Sequence, residues 1–248
     1  MKQTNQFPTE EVTLPSKGLL YPEESPLRTG VIQMKYMTTR EEDILTNQNL
    51  IQKGTVIDKL LQSLIVTPID YNELLIGDKN AVLVAARVLG YGADYSFSYE
   101  GEEQHVNLSE VEDKCLDESL IVEGKNEFNY TLPASKIEVT FKFLTHGDEN
   151  KITDELKGLR KLNKEVSKDL STRMKHLITA VNGDSERKTI REFVDNTLLA
   201  RDARDLRNYI KEIQPDVNLS FDYEDNFGNI KNIPIPINTS FFWPDADV

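Results

Sequence analysis

The stretch from Asp78 to Leu89 constrains the fold most. Its centre, Ala81-Val82-Leu83-Val84-Ala85-Ala86, leaves almost no polar face on a helix, and Gly90 before Tyr91-Gly92 supplies a stop. Such a helix must be enclosed by other elements. The apolar run is also far short of the roughly 20 residues that span a bilayer. The expectation is therefore a helix at the centre of a globular lobe, without membrane contact.

The flanking sequence supplies what would enclose it. Val56, Ile57, Leu60, Leu61, Leu64 and Ile65 repeat on one helical face, with Thr55 as N-cap. Val31 to Tyr36 has strand character, and Thr38-x-x-Glu41 or Thr39-x-x-Glu42 can open a helix through a capping box. Residues 13–92 thus read as an N-terminal helical lobe. Residues 1–12, polar and aperiodic, read as a flexible arm. Between them, Leu14-Pro15-Ser16-Lys17-Gly18-Leu19-Leu20-Tyr21-Pro22 reads as an extended segment laid over a surface.

From Asp94 the period changes to two. Tyr95 to Glu100 and Gln104 to Leu108, then Asn126 to Leu132 and Lys136 to Leu144, predict an antiparallel β unit over 93–146. Helical spacing returns from Leu156 through Val181, as one helix or two. Helices at Lys188 to Leu199 and Arg201 to Ile213 complete a helical section over 147–214. Residues 215–248 close with a hairpin, Val217 to Tyr223 and Ile230 to Ile235, and an aromatic tail. Ser96-Phe97-Ser98-Tyr99-Glu100 is echoed by Ser220-Phe221-Asp222-Tyr223-Glu224, which suggests two similar ribbons. The predicted class is α+β, mainly helical with two small antiparallel β-hairpin units.

The net charge of −13 is uneven. Residues 94–127 carry 11 acidic and 2 basic side chains, whereas 151–191 carry a surplus of five positive charges. Lys157, Arg160, Lys161, Lys164, Lys168, Arg173 and Lys175 interleave with apolar helix positions, and no aromatic residue stands among them to stack bases. That pattern fits a solvated face or an acidic protein partner, the 94–127 block among the candidates, better than nucleic acid. The one cysteine, Cys115, permits no intramolecular disulfide, and residues 1–6 lack the apolar core of a signal peptide, so a reducing cytosol is expected.

Catalytic patterns are absent from the sequence. His105, His146 and His176 read as surface histidines, and no Gly-x-Ser-x-Gly elbow, His-Glu-x-x-His helix, Cys-x-x-Cys pair or phosphate loop occurs. Asp222 to Gly228 resembles a calcium loop only superficially, because Phe227 stands where that loop needs glycine. No enzyme activity, metal or cofactor is expected. Phe241, Phe242 and Trp243 crowd together before an acidic stretch; they either dock back on the core or anchor another protein. Together with Leu14, Pro15, Lys17, Leu19 and Tyr21 they are the candidate protein-interaction residues.

Several blocks resemble the baseplate hub assembly proteins of T-even-type, contractile-tailed bacteriophages, whose members include proteins similar to tail-assembly chaperones. The resemblance rests on 14–22, on Met37-Thr38-Thr39-Arg40-Glu41-Glu42-Asp43-Ile44-Leu45, and on Gly54 to Leu61. It also rests on Leu74 to Asn80, Arg87 to Gly92, Phe193 to Asn196, Arg201 to Arg207 and Phe241 to Pro244. It implies a non-catalytic late assembly factor that binds hub or tape-measure proteins, with self-association a further option, acting in the host cytoplasm. The alternative is a structural subunit kept in the virion baseplate. Related sequences carry cysteine pairs at their ribbon turns. Tyr99-Glu100-Gly101 and Asp225 to Gly228 have none, which implies zinc-ribbon-like hairpins without metal ligands.

Overall fold

The computed structural model describes residues 8–114, 116–162, 168–224, 228–237 and 241–242. Strand β1 (Thr9–Thr13) pairs antiparallel with β2 (Val31–Lys35), Thr9 opposite Lys35 and Thr13 opposite Val31. The arm expected over 1–12 therefore becomes sheet from Thr9 onward, because β2 offers a free edge and turns Ile32 and Met34 into the core. Residues 1–7 lie outside the described residues.

Three short helices follow, α1 (Thr39–Leu45), α2 (Gln48–Lys53) and α3 (Val56–Leu64). Glu41 accepts the Thr38 backbone N–H at 3.1 Å, as a capping box requires, and the Lys35 ammonium at 2.8 Å. Val56, Leu60, Leu61 and Leu64 are buried, as the spacing predicts.

Helix α4 (Ile76–Tyr91) is the enclosed helix. It buries Ala81, Val82, Leu83, Val84 and Ala86, and runs through Gly90 to end at Gly92, whose φ is +83°. Near its start another backbone approaches it closely. A Cβ on Gly77 would lie 1.8 Å from the Pro215 carbonyl oxygen. An alanine in an exposed helix gains about 1 kcal/mol over glycine; here it must displace a backbone. Gly77→Ala is expected to destabilise the fold by roughly 1–3 kcal/mol, read from the denaturant midpoint. Increased stability would show that the crossing is looser than described.

The β unit expected over 93–146 divides in two. Strands β3 (Asp94–Tyr99) and β4 (Glu102–Asn107) form one hairpin, turning through Glu100 and Gly101, both at positive φ. Strands β5 (Phe128–Thr131) and β6 (Glu138–Phe141) belong to a different, three-stranded antiparallel sheet. Two helices come next, α5 (His146–Leu162) and α6 (Asp169–Leu177), with residues 163–167 between them outside the described residues. The third strand, β7 (Ile178–Val181), lies where helical spacing predicted more helix. Its β-branched Ile178, Thr179 and Val181 suit a strand, and pairing with Val139 and Phe141 decides the matter.

Helix α7 (Arg187–Glu192) widens into a π turn over Phe193–Thr197, and α8 (Ala200–Ile213) follows. Strands β8 (Ser220–Glu224) and β9 (Ile230–Pro234) form the last hairpin. The echoed motifs meet across space. Phe97 stands edge-on to Phe221 with centroids 5.1 Å apart, and Tyr99 to Tyr223 at 5.0 Å, so alternate residues of β3 and β8 form one aromatic seam. The fold is mixed α+β with small antiparallel hairpins. One apolar cluster runs from Leu14 to Phe242. Among the described residues no group of His, Cys, Asp and Glu side chains is placed to hold a metal ion, and no helix is long and apolar enough to cross a membrane.

Candidate docking cleft

The segment expected to lie exposed over a surface is folded inward. Leu14, Pro15 and Tyr21 are buried, Leu19 is half-buried, and Lys17 is exposed but paired with Glu118 at 2.6 Å. The cause is Asp78, fully buried in the first turn of α4. Its carboxylate accepts the Ser16 backbone N–H at 2.9 Å, the Ser16 hydroxyl at 2.7 Å and the Tyr21 hydroxyl at 2.6 Å, while Tyr21 Oη accepts the Leu75 N–H. Gly18, at φ +74°, has no room for a side chain: a Cβ would come within 2.3 Å of the Arg28 carbonyl oxygen. Burial pushes the Asp78 carboxyl up to about 6 and the Tyr21 phenol upward.

The two described residues of the aromatic tail are internal as well. Phe241 and Phe242 are buried, Phe241 edge-on to Tyr95 at 5.1 Å, while Trp243 lies outside the described residues. Leu14, Pro15, Tyr21, Phe241 and Phe242 thus take part in closing the core.

Nor is His146 a surface histidine. It is buried edge-on against Tyr71 at 4.6 Å, with its Nδ1 3.3 Å from the Lys79 ammonium and its Nε2 3.1 Å from the Asn150 amide. Lys79 is held by Asp58 at 2.6 Å. Burial, then the Lys79 charge, lowers the His146 pKa and keeps the ring neutral. None of these buried polar atoms lacks a partner, so the cluster is a satisfied structural network.

A different region is open and unsatisfied. The end of α6, the C-terminal half of α8 and the segment leading into β8 enclose a cleft of about 610 Å³. Leu144, Leu177, Ile210, Val217, Leu219 and Pro234 give it an apolar wall. Hydrogen bonds hold the elements that carry its lining residues. Asp202 anchors the start of α8 by accepting the Ala134 and Ser135 N–H groups at 2.8 and 3.0 Å. Asn80 of α4 donates to Asp216 at 2.9 Å, and Asn218 N–H donates to the Glu112 carbonyl at 2.9 Å.

Into this wall projects Arg207. Its Nη1 is closed off from solvent and no acceptor lies within hydrogen-bond distance. Among the described residues Arg207 makes no ion pair. Of the other cations at the cleft, Arg173 grips Glu149 with two bonds and Lys114 donates to the Lys211 carbonyl, while the Lys211 side chain makes no ion pair among the described residues. Burial lowers the Lys114 pKa. A buried guanidinium nitrogen without an acceptor is costly, and an acceptor from outside the chain would remove that cost.

Sequence reading overlooked Arg207, although one signal was present. Ala203, Leu206 and Ile210 form the buried face of α8, and Arg207 lies between them at helical spacing. Among the described residues no ion pair joins the acidic block of 94–127 to the basic block of 151–191. Among them, the acidic block's ion pairs run to Lys17 and Arg28, from Glu118 and Glu123, while Arg173 and Lys175 pair with Glu149 and Asp195. Comparison with known protein families, curated proteins and solved structures returns no match for this chain.

Proposed function

We propose that this chain is a non-catalytic assembly factor of contractile phage tails, which holds a segment of a baseplate hub or tape-measure protein in the host cytoplasm until the hub closes around it. The observation that carries the docking part is Arg207. An apolar cleft with one buried, unpartnered guanidinium nitrogen suits an apolar peptide segment bearing a carboxylate, which fills the wall and supplies an acceptor. The phage assignment is supported by the sequence blocks over 14–92 and 190–244 that resemble hub assembly proteins. In that reading the β3–β4 and β8–β9 hairpins are metal-free counterparts of zinc ribbons, braced by the aromatic seam in place of a metal. The mechanism is transient masking of an aggregation-prone partner.

Co-expression with each hub and tape-measure protein, followed by affinity capture, is expected to retain one of them. Failure to retain any overturns the proposal. Mass spectrometry of purified particles is expected to find the chain absent or far below hub stoichiometry; a stoichiometric amount would make it a structural hub subunit instead.

A further inference from the structure

A second cleft, of about 260 Å³ between α5, β7 and α7, has the opposite chemistry. Five cationic and two acidic side chains line it, a local charge of +3 in a chain of −13. Three of the cations have a carboxylate beside them: Lys142 and Lys151 share Asp148, at 2.6 and 3.8 Å, and Lys175 meets Asp195 at 2.7 Å. Arg187 and Arg191 stand four residues apart on α7, hence on one face, and among the described residues neither has a hydrogen bond or ion pair. Thr179, on β7, lines the same cleft, and its Oγ1 is closed off from solvent without a partner.

We propose that this cleft binds a phosphoryl group, carried by inorganic phosphate or by a small phosphomonoester. Two guanidinium forks and a hydroxyl present more donors than the two oxygens of a carboxylate can accept, whereas a tetrahedral dianion offers three or four. The sequence block that supplies these cations had suggested a solvated face or an acidic protein partner. The cleft narrows that to a small anion. No Phe, Tyr or Trp lines it to stack a base, and the surrounding negative charge repels a polyanion.

Isothermal titration of the full chain at low ionic strength tests this with inorganic phosphate, glycerol phosphate and acetate. Saturable binding of one phosphate or glycerol phosphate per chain is expected, with acetate much weaker. The tighter of the two phosphoryl ligands identifies the source. Arg187→Gln with Arg191→Gln is expected to weaken binding about tenfold or more, and Thr179→Val severalfold, with the thermal midpoint unmoved by the arginine changes because both side chains are exposed. A Lys53→Gln control on exposed α2 should change nothing. The proposal is overturned by no binding at about 1 mM ligand, by equal binding of acetate, or by arginine variants that bind like the parent.

Discussion

Arg207→Met is expected to separate stability from binding. Methionine keeps much of the length and apolar contact of the side chain and removes the buried, unpartnered Nη1. The fold should lose nothing and gain up to about 1 kcal/mol, a rise of about 2–4 °C in the thermal midpoint for a chain of this size. Capture of the partner should weaken at least about tenfold, since a charge-assisted bond contributes about 1.5–3 kcal/mol. A residue kept for packing alone would show the reverse pattern. Lower stability with unchanged capture would remove Arg207 from the docking cleft's function.

Asp78→Ala should produce the largest loss of stability. It strands three buried donors at once, the Ser16 N–H, the Ser16 hydroxyl and the Tyr21 hydroxyl. At about 1–3 kcal/mol for each unsatisfied group, the total falls near 3–5 kcal/mol even with partial relaxation. A loss below about 1 kcal/mol in chemical denaturation would mean that segment 14–22 is held by something else. The same carboxylate gives a signature in pH. Its folded pKa, about 6, lies above the ordinary 3.8, so the folded state binds this proton more tightly. That contribution is fully present below about pH 4 and is lost as pH rises through about 6, on the order of 3 kcal/mol in all. Other carboxylates work oppositely. Asp148 is lowered: burial alone would raise it, and the Lys142 bond and charge outweigh burial, so its contribution is lost on acidification. Subtracting the profile of Asp78→Asn from that of the parent isolates the Asp78 slope. A flat difference between pH 4 and 7 would exclude it.

Elements whose pattern is local were legible in the sequence. Val56 to Leu64 and the enclosed helix at 76–91 follow from apolar spacing, and the echoed Phe-x-Tyr strands follow from alternation. What escaped was decided by distant partners. Ile178 to Val181 has helical spacing, yet an open edge at Val139 and Phe141 recruits it as a strand. Leu14 to Pro22 has the prolines and glycine of an exposed loop, yet a carboxylate 62 residues after Ser16 draws it inside. His146 has no local mark of burial at all. The docking cleft lay between these extremes, because Arg207 interrupts an apolar face in plain view while the wall it faces comes from β9 and the segment before β8. The pair Arg187 and Arg191 was visible as part of a basic block, but only the fold separates it from neighbours already neutralised.

The aromatic seam also sets an order of events. Phe97 and Tyr99 leave the ribosome more than a hundred residues ahead of Phe221 and Tyr223, so the first hairpin waits with an uncovered aromatic face while about half of the sequence is made. Such long-range closure is slow and leaves a sticky intermediate. The chain therefore passes through its own period of vulnerability, which ends when β8 and β9 arrive to cover the first hairpin.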